Sequence, residues 1–470
     1  MPVMHEHRWS LAICLVTVLA VACTEASGTG AGGTGSAGTG ATGPTASQSN
    51  GATIPQPPSR LNERTRRRLA PESRRIDLAV PTFSHPTRVT NSLFPISNLD
   101  SAVLVGKLEG KPWRAETTLL PETQVVEWNG QRIRTLLSQF IAFEGGRIFE
   151  VALDRYAQAD DGSVWYFGED AYSYEHGRVS DTEGTWLAGV TGPPAMIMPG
   201  HPRVGEVYRT ENIPPLVFEQ VTIKRLGVTL EGPTGPVHGA MVGQELHLDE
   251  RRLEAKYFAP GYGEFFSGGG RTYEANALAV PVDALNQPLP GDLATMTDDA
   301  GRLFDAARSR DWTTASKAAD GMGAAWDRFR SGGVPPRLGA QMGDALRAVA
   351  GAIRARKPLM AAQDALNVIN AALDLQLRYR SPAQVDLARF GLWARQLLLD
   401  AGARNEAAVT GDVATLDWIR DRFTLGRDAA VNVDDLLRLL GAAADAGQLG
   451  AVKSGASRFR DAIAGIARAG

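Results

Sequence analysis

The sequence predicts an α+β protein of several domains, in which an antiparallel curved β-sheet or open barrel is followed by an all-α bundle of helical hairpins. Two observations predict this fold class. Turn dipeptides separate segments rich in β-branched and aromatic residues in the first half of the chain, and Ala- and Leu-rich segments with helical spacing fill the last third. With 470 residues, of which 43% are hydrophobic, the chain is long enough for two or three domains with proper cores.

The N-terminal segment, residues 1–22, has the features of a signal peptide. Arg8 precedes an apolar stretch that ends at Ala22, and Cys23 begins an abrupt change to small polar residues. The stretch is shorter than the roughly 20 apolar residues that a membrane-spanning helix needs. The segment before the change resembles a bacterial lipobox, Leu19-Ala20-Val21-Ala22-Cys23. This resemblance implies a lipoprotein that is cleaved before Cys23, carries lipid on that cysteine and faces the extracytoplasmic side of the cell membrane or outer membrane.

Residues 23–85 are predicted to be a tether between the lipid and the folded part. From Thr24 to Asn50 the chain is almost only Gly, Ala, Ser and Thr, which offer nothing to bury and leave the backbone free. A basic cluster follows, consisting of Arg60, Arg64, Arg66, Arg67, Arg68, Arg74 and Arg75. Two interpretations stay open for this cluster: contact with anionic lipid or wall polymer, and a solvated linker.

Composition excludes several functional classes. The only cysteines are Cys14 and Cys23, so the mature protein cannot form an internal disulfide, use a cysteine nucleophile or build a thiolate zinc site. The net charge of −3 predicts no nucleic-acid partner. The folded part has neither a Walker loop nor a Gly-x-Ser-x-Gly elbow, and we assign no cofactor.

Residues 86–285 are predicted to form the antiparallel β domain. Four turn dipeptides recur at even intervals, as expected for a β meander of long strands: Asn129-Gly130, Gly145-Gly146, Asp161-Gly162 and His176-Gly177. Between Phe149 and Gln158 the side chains alternate. Phe149, Val151 and Leu153 form an apolar face, and the face that carries Glu150, Asp154 and Tyr156 is predicted to be wet.

One run of the β domain resembles the signature of an uncharacterised group of bacterial, often lipid-anchored, β proteins. The run is Asp154 to Asp170, with the sequence DRYAQADDGSVWYFGED. Three further segments agree with the group in the expected order: residues 183–186, residues 197–209 and residues 256–263. The resemblance covers roughly residues 91–270, and it implies no catalytic residues.

The same run supplies the ligand-binding candidates of the sequence, which are Asp154, Tyr156, Tyr166, Glu169 and Asp170. On neighbouring strands, Asp154 and Asp170 would line an open polar groove beside two tyrosines that offer stacking surfaces. A glycosidase needs two carboxyl groups about 5–9.5 Å apart across its substrate. A catalytic pair, a binding face and solvated strand faces all remain open, and we assign no catalytic residue.

The histidines show no close paired spacing of the kind that clusters metal ligands. His238 and His247 could approach each other across a hairpin beside Glu245 or Glu254. Turn and surface roles are sufficient for these histidines, and we assign no metal ligand.

Residues 291–470 are predicted to be helical. Short breaks recur at intervals of about 45 residues, at Arg310-Asp311, Arg356-Lys357-Pro358, Arg404-Asn405 and Ala446-Gly447. They indicate four helical hairpins in a bundle or, less favoured, a solenoid. Residues 364–379 and 386–396 also resemble segments of uncharacterised bacterial lipoproteins. Polar residues of the first segment could form a seam for a partner or an ion, or could be ordinary helix-face polarity: Asn367, Asn370, Asp374, Gln376 and Arg378.

The sequence leaves three functional hypotheses. The favoured one is a non-enzymatic binding or scaffold protein of the cell envelope, with an envelope polymer or another protein as its partner. The alternatives are a carboxylate-dependent hydrolase of envelope glycan, and a lipoprotein that captures metal through its helical domain.

Overall fold

The structure is a computed structural model that describes residues 68–248 and 253–469. The predicted signal peptide, the predicted lipidation residue Cys23 and most of the predicted tether lie outside the described residues. Of the basic cluster, Arg68, Arg74 and Arg75 are described.

The described β domain is an antiparallel open sheet of 14 strands, which confirms the predicted fold class. Its strands are Ser101–Leu108 (β1), Lys111–Trp128 (β2), Gln131–Glu144 (β3), Arg147–Gln158 (β4), Val164–Glu175 (β5), Arg178–Asp181 (β6), Trp186–Leu187 (β7), Ala195–Met198 (β8), Val207–Ile213 (β9), Val217–Glu231 (β10), Pro236–His247 (β11), Glu254–Ala259 (β12), Gly263–Gly269 (β13) and Thr272–Val280 (β14).

The sheet is a meander that curls until its ends approach each other. The strand order is β6-β5-β4-β3-β2-β1-β14-β13-β12-β11-β10-β9, with β7 and β8 paired to β5, so the first strand pairs with the last. Because β8 also contacts β9, the two ends of the order lie close together. The curl gives the sheet an inner and an outer face.

The four predicted turns join β2 to β3, β3 to β4, β4 to β5 and β5 to β6. At the first of them Asn129 and Gly130 have φ angles of 50° and 72°, the left-handed conformation that Asn and Gly adopt most readily. Local turn chemistry therefore sets the strand boundaries of this half of the sheet.

The predicted wet face of β4 is wrong. Glu150, Asp154 and Tyr156 are only 3%, 2% and 5% exposed, because they lie on the inner face of the curled sheet. The outer face is covered too: Val151 is buried in a cluster that packs against Trp393 of the helical domain. Alternating polarity thus separated Val151 from Glu150 and Asp154 correctly, but the face with the carboxyl groups is the buried inner one.

The helical domain contains eight helices among the described residues, arranged as four hairpins. They are Gly291–Ser309 (α1), Trp312–Arg330 (α2), Pro336–Arg354 (α3), Pro358–Gln376 (α4), Pro382–Ala403 (α5), Glu406–Arg420 (α6), Arg427–Asp445 (α7) and Leu449–Ala469 (α8). Helix α1 packs against α2 and α4, α5 packs against α6 and α8, and α4 contacts α5. Within α1 to α4, and again within α5 to α8, the first helix thus contacts the fourth. This arrangement confirms a bundle.

An interdomain ion network of six side chains, all buried except the half-buried Arg114, joins the two domains: Arg114, Glu116, Asp374, Asp386, Arg389 and Arg422. Arg114 of β2 lies 2.6 Å from Asp374 of α4, and Arg389 of α5 lies 2.9 Å from the same carboxylate. Arg422 pairs with Glu116. Three arginines face three carboxylates, so the network is electrically balanced.

The predicted polar seam of α4 lies largely inside the chain. Asp374 belongs to the interdomain ion network, Gln376 donates a hydrogen bond to Thr297, and Arg378 donates one to the main chain of Asp283. These three side chains therefore stabilise the packing within the protein. None of the helices in the described ranges combines the length and apolar character needed to cross a bilayer.

Candidate functional site

Four of the five predicted ligand-binding residues converge on the inner face of the sheet. Asp154 of β4 stands directly opposite Glu169 of β5. The Tyr166 hydroxyl donates a hydrogen bond of 2.6 Å to Asp154, and the Tyr156 ring stacks on that of Tyr166 at 5.0 Å between centroids. All four are buried. The predicted cluster therefore exists, but it is enclosed within the domain.

Asp170, the fifth predicted residue, points to the opposite face. Its register partner is Leu153, and its carboxylate lies 2.5 Å from the guanidinium of Arg155. Because Asp154 faces inward and Asp170 outward, the two carboxylates cannot flank one substrate. The suggested catalytic pair is thus not formed. Asp161, as predicted, serves the turn, where its carboxylate accepts hydrogen bonds from Ser163.

The inner face surrounds a narrow cavity. Its apolar lining includes Phe94, Ile96, Leu104, Phe140 and Phe258, and its polar lining includes Ser138, Asp154, Glu219, Glu245, Lys256 and Glu274. The volume that centres of water molecules can occupy is about 70 Å³. At 10–15 Å³ for each molecule, this is space for roughly five to seven waters. The cavity thus has room for an ion or a ligand of a few atoms.

A covering segment, residues 82–99, contributes Phe94, Ile96 and Leu99 to the lining of the cavity. Its Phe94 packs edge-on against Tyr156 at 5.0 Å between ring centroids. The Gln158 side chain accepts hydrogen bonds from the main-chain N–H groups of Thr90 and Asn91, and the Asn91 amide donates to two main-chain carbonyls near the turn between β4 and β5. This segment lacks strand or helix periodicity, so its role could not be predicted from the sequence.

Five of the polar lining residues belong to an acidic cluster on β9 to β14. The cluster is defined as Glu211, Glu219, Glu245, His247, Glu254, Lys256, Glu264 and Glu274. Six carboxyl groups share it with two cationic side chains. Nδ1 of His247 lies 2.7 Å from Glu219, and its Nε2 lies 3.1 Å from Glu254. Nζ of Lys256 lies 3.3 Å from Glu264 and 3.5 Å from Glu245.

Burial and neighbouring charge divide the carboxyl groups into two sets. Burial alone would raise the pKa of Glu219 and Glu254, but His247 offsets this effect; the pKa of Glu219 lies below its usual value and that of Glu254 is about 2. Burial and the charge of Glu219 raise the pKa of Glu211 and Glu245 well above the usual range. Burial likewise raises the pKa values of Glu264 and Glu274.

For the two cationic side chains, burial and neighbouring carboxylates shift the pKa in the directions opposite to those for the carboxyl groups. Although burial by itself would lower the pKa of His247, the carboxylate of Glu219 raises it well above its usual value. The pKa of Lys256 is raised for the same reason, chiefly by Glu245. Beside the two cations, Glu219 and Glu254 thus favour the ionised state, whereas burial favours the protonated state at the other four carboxyl groups.

The acidic cluster differs from the interdomain ion network in its charge balance. The network contains equal numbers of arginines and carboxylates, which is the pattern of a structural contact. The acidic cluster contains six carboxyl groups and two cations. Its unbalanced carboxyl groups can ionise without repulsion only when another cation enters.

Polar atoms without hydrogen-bond partners mark the same region. Among the described residues, the hydroxyls of Ser138 and Tyr208 and one carboxyl oxygen of Glu245 are buried and accept or donate no hydrogen bond. Ser138 and Glu245 line the cavity. Buried polar groups are costly unless they are satisfied, so these atoms require water or a ligand.

Sequence reasoning placed His247 near Glu245 and Glu254, and the structure brings these three together. His238 is not part of the group, since its side chain is exposed and contacts Thr229. The other members of the acidic cluster were not predicted. A usable signal was present: Glu and His, then Glu and Lys, recur at every second position of β11 and β12, which places them on one face of the sheet.

The chain matches no protein-family model, no curated protein and no solved structure. The resemblance to uncharacterised bacterial lipoproteins therefore stays a prediction. The chemistry of the site follows from its own residues.

Proposed function

We propose that this protein is a lipid-anchored extracytoplasmic lipoprotein of the cell envelope, and that it is a binding protein whose β domain holds a small cation in the inner cavity. The observation that carries the proposal is the charge imbalance of the acidic cluster, in which six carboxyl groups face two cationic side chains. The cluster adjoins a cavity that is lined by buried polar atoms without hydrogen-bond partners.

Charge and size together select the ligand. A cation that enters a buried site loses its hydration, and this cost is compensated only where carboxylates contact it directly. The cavity supplies such carboxylates in its lining, and its volume of about 70 Å³ suits a metal ion or a small amine. The hydrolase alternative has less support, because Asp154 and Asp170 lie on opposite faces of the sheet.

Membrane attachment rests on the leader and on the lipobox resemblance. The apolar stretch before Cys23 is too short for a spanning helix, and the Gly-, Ala-, Ser- and Thr-rich segment after Cys23 suits a tether. The membrane is thus a proposed partner, reached through lipid on Cys23. An envelope polymer or protein remains the proposed second partner.

Cation binding is tested by thermal unfolding at pH 7.5 with ethylammonium chloride, Zn²⁺ or Mn²⁺, against sodium acetate at equal ionic strength. Binding to the folded state raises the melting temperature, so we expect a rise with at least one cation and none with acetate. Asp154→Asn should weaken the effect, since Asp154 lines the cavity. Asp170→Asn, on the outer face, is the matched control. If none of the three cations raises the melting temperature, the proposal is wrong.

The anchor is tested by mass spectrometry of the mature protein made in a bacterial host. A fatty-acylated Cys23 at the N-terminus is the expected result, and Cys23→Ser should release the protein from the membrane fraction. Unprocessed protein in the cytosol, or a mature N-terminus without acyl groups, would refute this part of the proposal.

A further inference from the structure

Two adjacent strands bring an imidazole and two carboxyl groups together within the acidic cluster. His247 of β11 stands opposite Glu219 of β10, and Glu245 lies two residues away on the same face of β11. One ligand atom from each of these three residues lies within 4.8 Å of the other two. All three side chains are buried.

From this geometry we infer that Glu219, Glu245 and His247 form a site for a divalent transition-metal ion. The inference rests on the proposed cation-binding function and names the ligand class. One imidazole nitrogen with two carboxylate oxygens suits Zn²⁺ or Mn²⁺, whereas Ca²⁺ and Mg²⁺ prefer ligand sets made of oxygen alone.

Polar atoms without hydrogen-bond partners at this position point to a ligand, independently of the charge imbalance of the acidic cluster. One carboxyl oxygen of Glu245 accepts no hydrogen bond from the described residues, although His247 and Lys256 each have a nitrogen 3.5 Å from it. The hydroxyl of Tyr208, in the same electrostatic neighbourhood as Glu245, has no hydrogen-bond partner within the described ranges. An ion with a bound water would satisfy both groups.

The cavity gives the ion a place beside its ligands. Glu219 and Glu245 both line the cavity, whose space for roughly five to seven waters accommodates one ion with part of its hydration shell. When the metal–nitrogen bond forms, the coordinating nitrogen of His247 releases its proton to solvent. Lys256 is the internal cation that competes for Glu245, and it can keep its ion pair with Glu264 when the metal is present.

Two buried carboxyl groups provide a matched pair of variants. Glu245→Gln removes one proposed ligand, and the amide closely matches the shape of the protonated carboxyl group that burial favours at this position. Glu150→Gln makes the same change at a buried carboxyl group of β4 that belongs neither to the acidic cluster nor to the lining of the cavity. Both variants are therefore expected to fold, and circular dichroism with thermal unfolding checks this directly.

The test is equilibrium dialysis of the EDTA-treated full chain against Zn²⁺ or Mn²⁺, with Mg²⁺ as the oxygen-preferring control. We expect one Zn²⁺ or Mn²⁺ per chain, no binding of Mg²⁺ at the same concentration, at least tenfold weaker binding by Glu245→Gln, and less than a threefold change in Glu150→Gln. Wild-type protein that binds neither Zn²⁺ nor Mn²⁺, or Glu245→Gln that binds like wild type, would overturn the metal site.

The two proposals fail separately. If Zn²⁺ and Mn²⁺ do not bind but ethylammonium raises the melting temperature, the metal site is wrong and the cation-binding cavity stands. If no cation binds, both are wrong. If metal binds equally well to wild type and Glu245→Gln, the ion occupies other residues and the assignment to Glu219, Glu245 and His247 is wrong.

Discussion

The buried carboxyl group of Glu150 makes the stability of the protein depend on pH. Glu150 lies on the inner face of β4, and one of its carboxyl oxygens has no hydrogen-bond partner among the described residues. Burial, and then the charges of Asp154 and Asp181, raise its pKa to about 8. The folded protein therefore holds a proton at this position between about pH 4.5 and pH 8, where the unfolded chain releases it.

The sign and size of the effect follow from proton linkage. Because the pKa of Glu150 is raised in the folded state, the proton on Glu150 stabilises the fold fully below the pKa of the unfolded chain. This stabilisation is lost progressively as the pH rises from that value through the pKa of the folded state. One proton held only by the folded state changes the free energy of unfolding by about 1.4 kcal/mol for each pH unit. From pH 5 to pH 7, Glu150 alone should lower that free energy by about 3 kcal/mol.

Glu150→Gln removes this titration and keeps the shape of the side chain. Urea unfolding followed by tryptophan fluorescence and circular dichroism at pH 5, 6 and 7 measures the free energy of unfolding. The wild-type value should fall more steeply with pH than the variant value, by about 1.4 kcal/mol per pH unit. Glu127→Gln, which removes a carboxyl group whose side chain is 79% exposed, is the matched control. Equal slopes for wild type and Glu150→Gln would show that Glu150 is ionised inside the fold and would refute the reasoning.

Three further predictions test other parts of the fold. Arg389→Leu leaves three carboxylates of the interdomain ion network with two arginines and should lower the free energy of unfolding in urea by about 3–5 kcal/mol. The control Arg347→Leu, at an exposed ion pair, should lower it by less than about 1 kcal/mol. Equal losses in the two variants would contradict the role of the network. Tyr166→Phe removes a hydrogen bond that lowers the pKa of Asp154, so that pKa should rise above about 6 in an NMR titration, and an unchanged value would argue against the contact. Gly168→Ala should cost about 2–4 kcal/mol, because a Cβ at its φ of 125° would lie 2.3 Å from a main-chain oxygen of β7; wild-type stability in urea would contradict this.

The sequence by itself determined the local structure and the order of the domains. Asn129-Gly130 and the other turn dipeptides located four strand connections, because positive φ angles favour Asn and Gly regardless of the surrounding fold. The helical breaks at Arg310 and Arg404 could also be predicted, because the apolar periodicity of a segment stops where its helix ends. In the structure both residues follow the last residue of a helix and adopt the left-handed conformation. These features depend on residues near one another in the chain.

Only the tertiary structure decided which polar residues share the site. Asp154 and Asp170 lie on neighbouring strands, as predicted, but the register pairs Asp170 with Leu153, and side chains one position apart point to opposite faces. The acidic cluster gathers carboxyl groups as distant in sequence as Glu211 and Glu274. Alternation along a strand separates two faces without saying which is enclosed. The curl of the sheet and the covering segment, residues 82–99, made the polar face the interior.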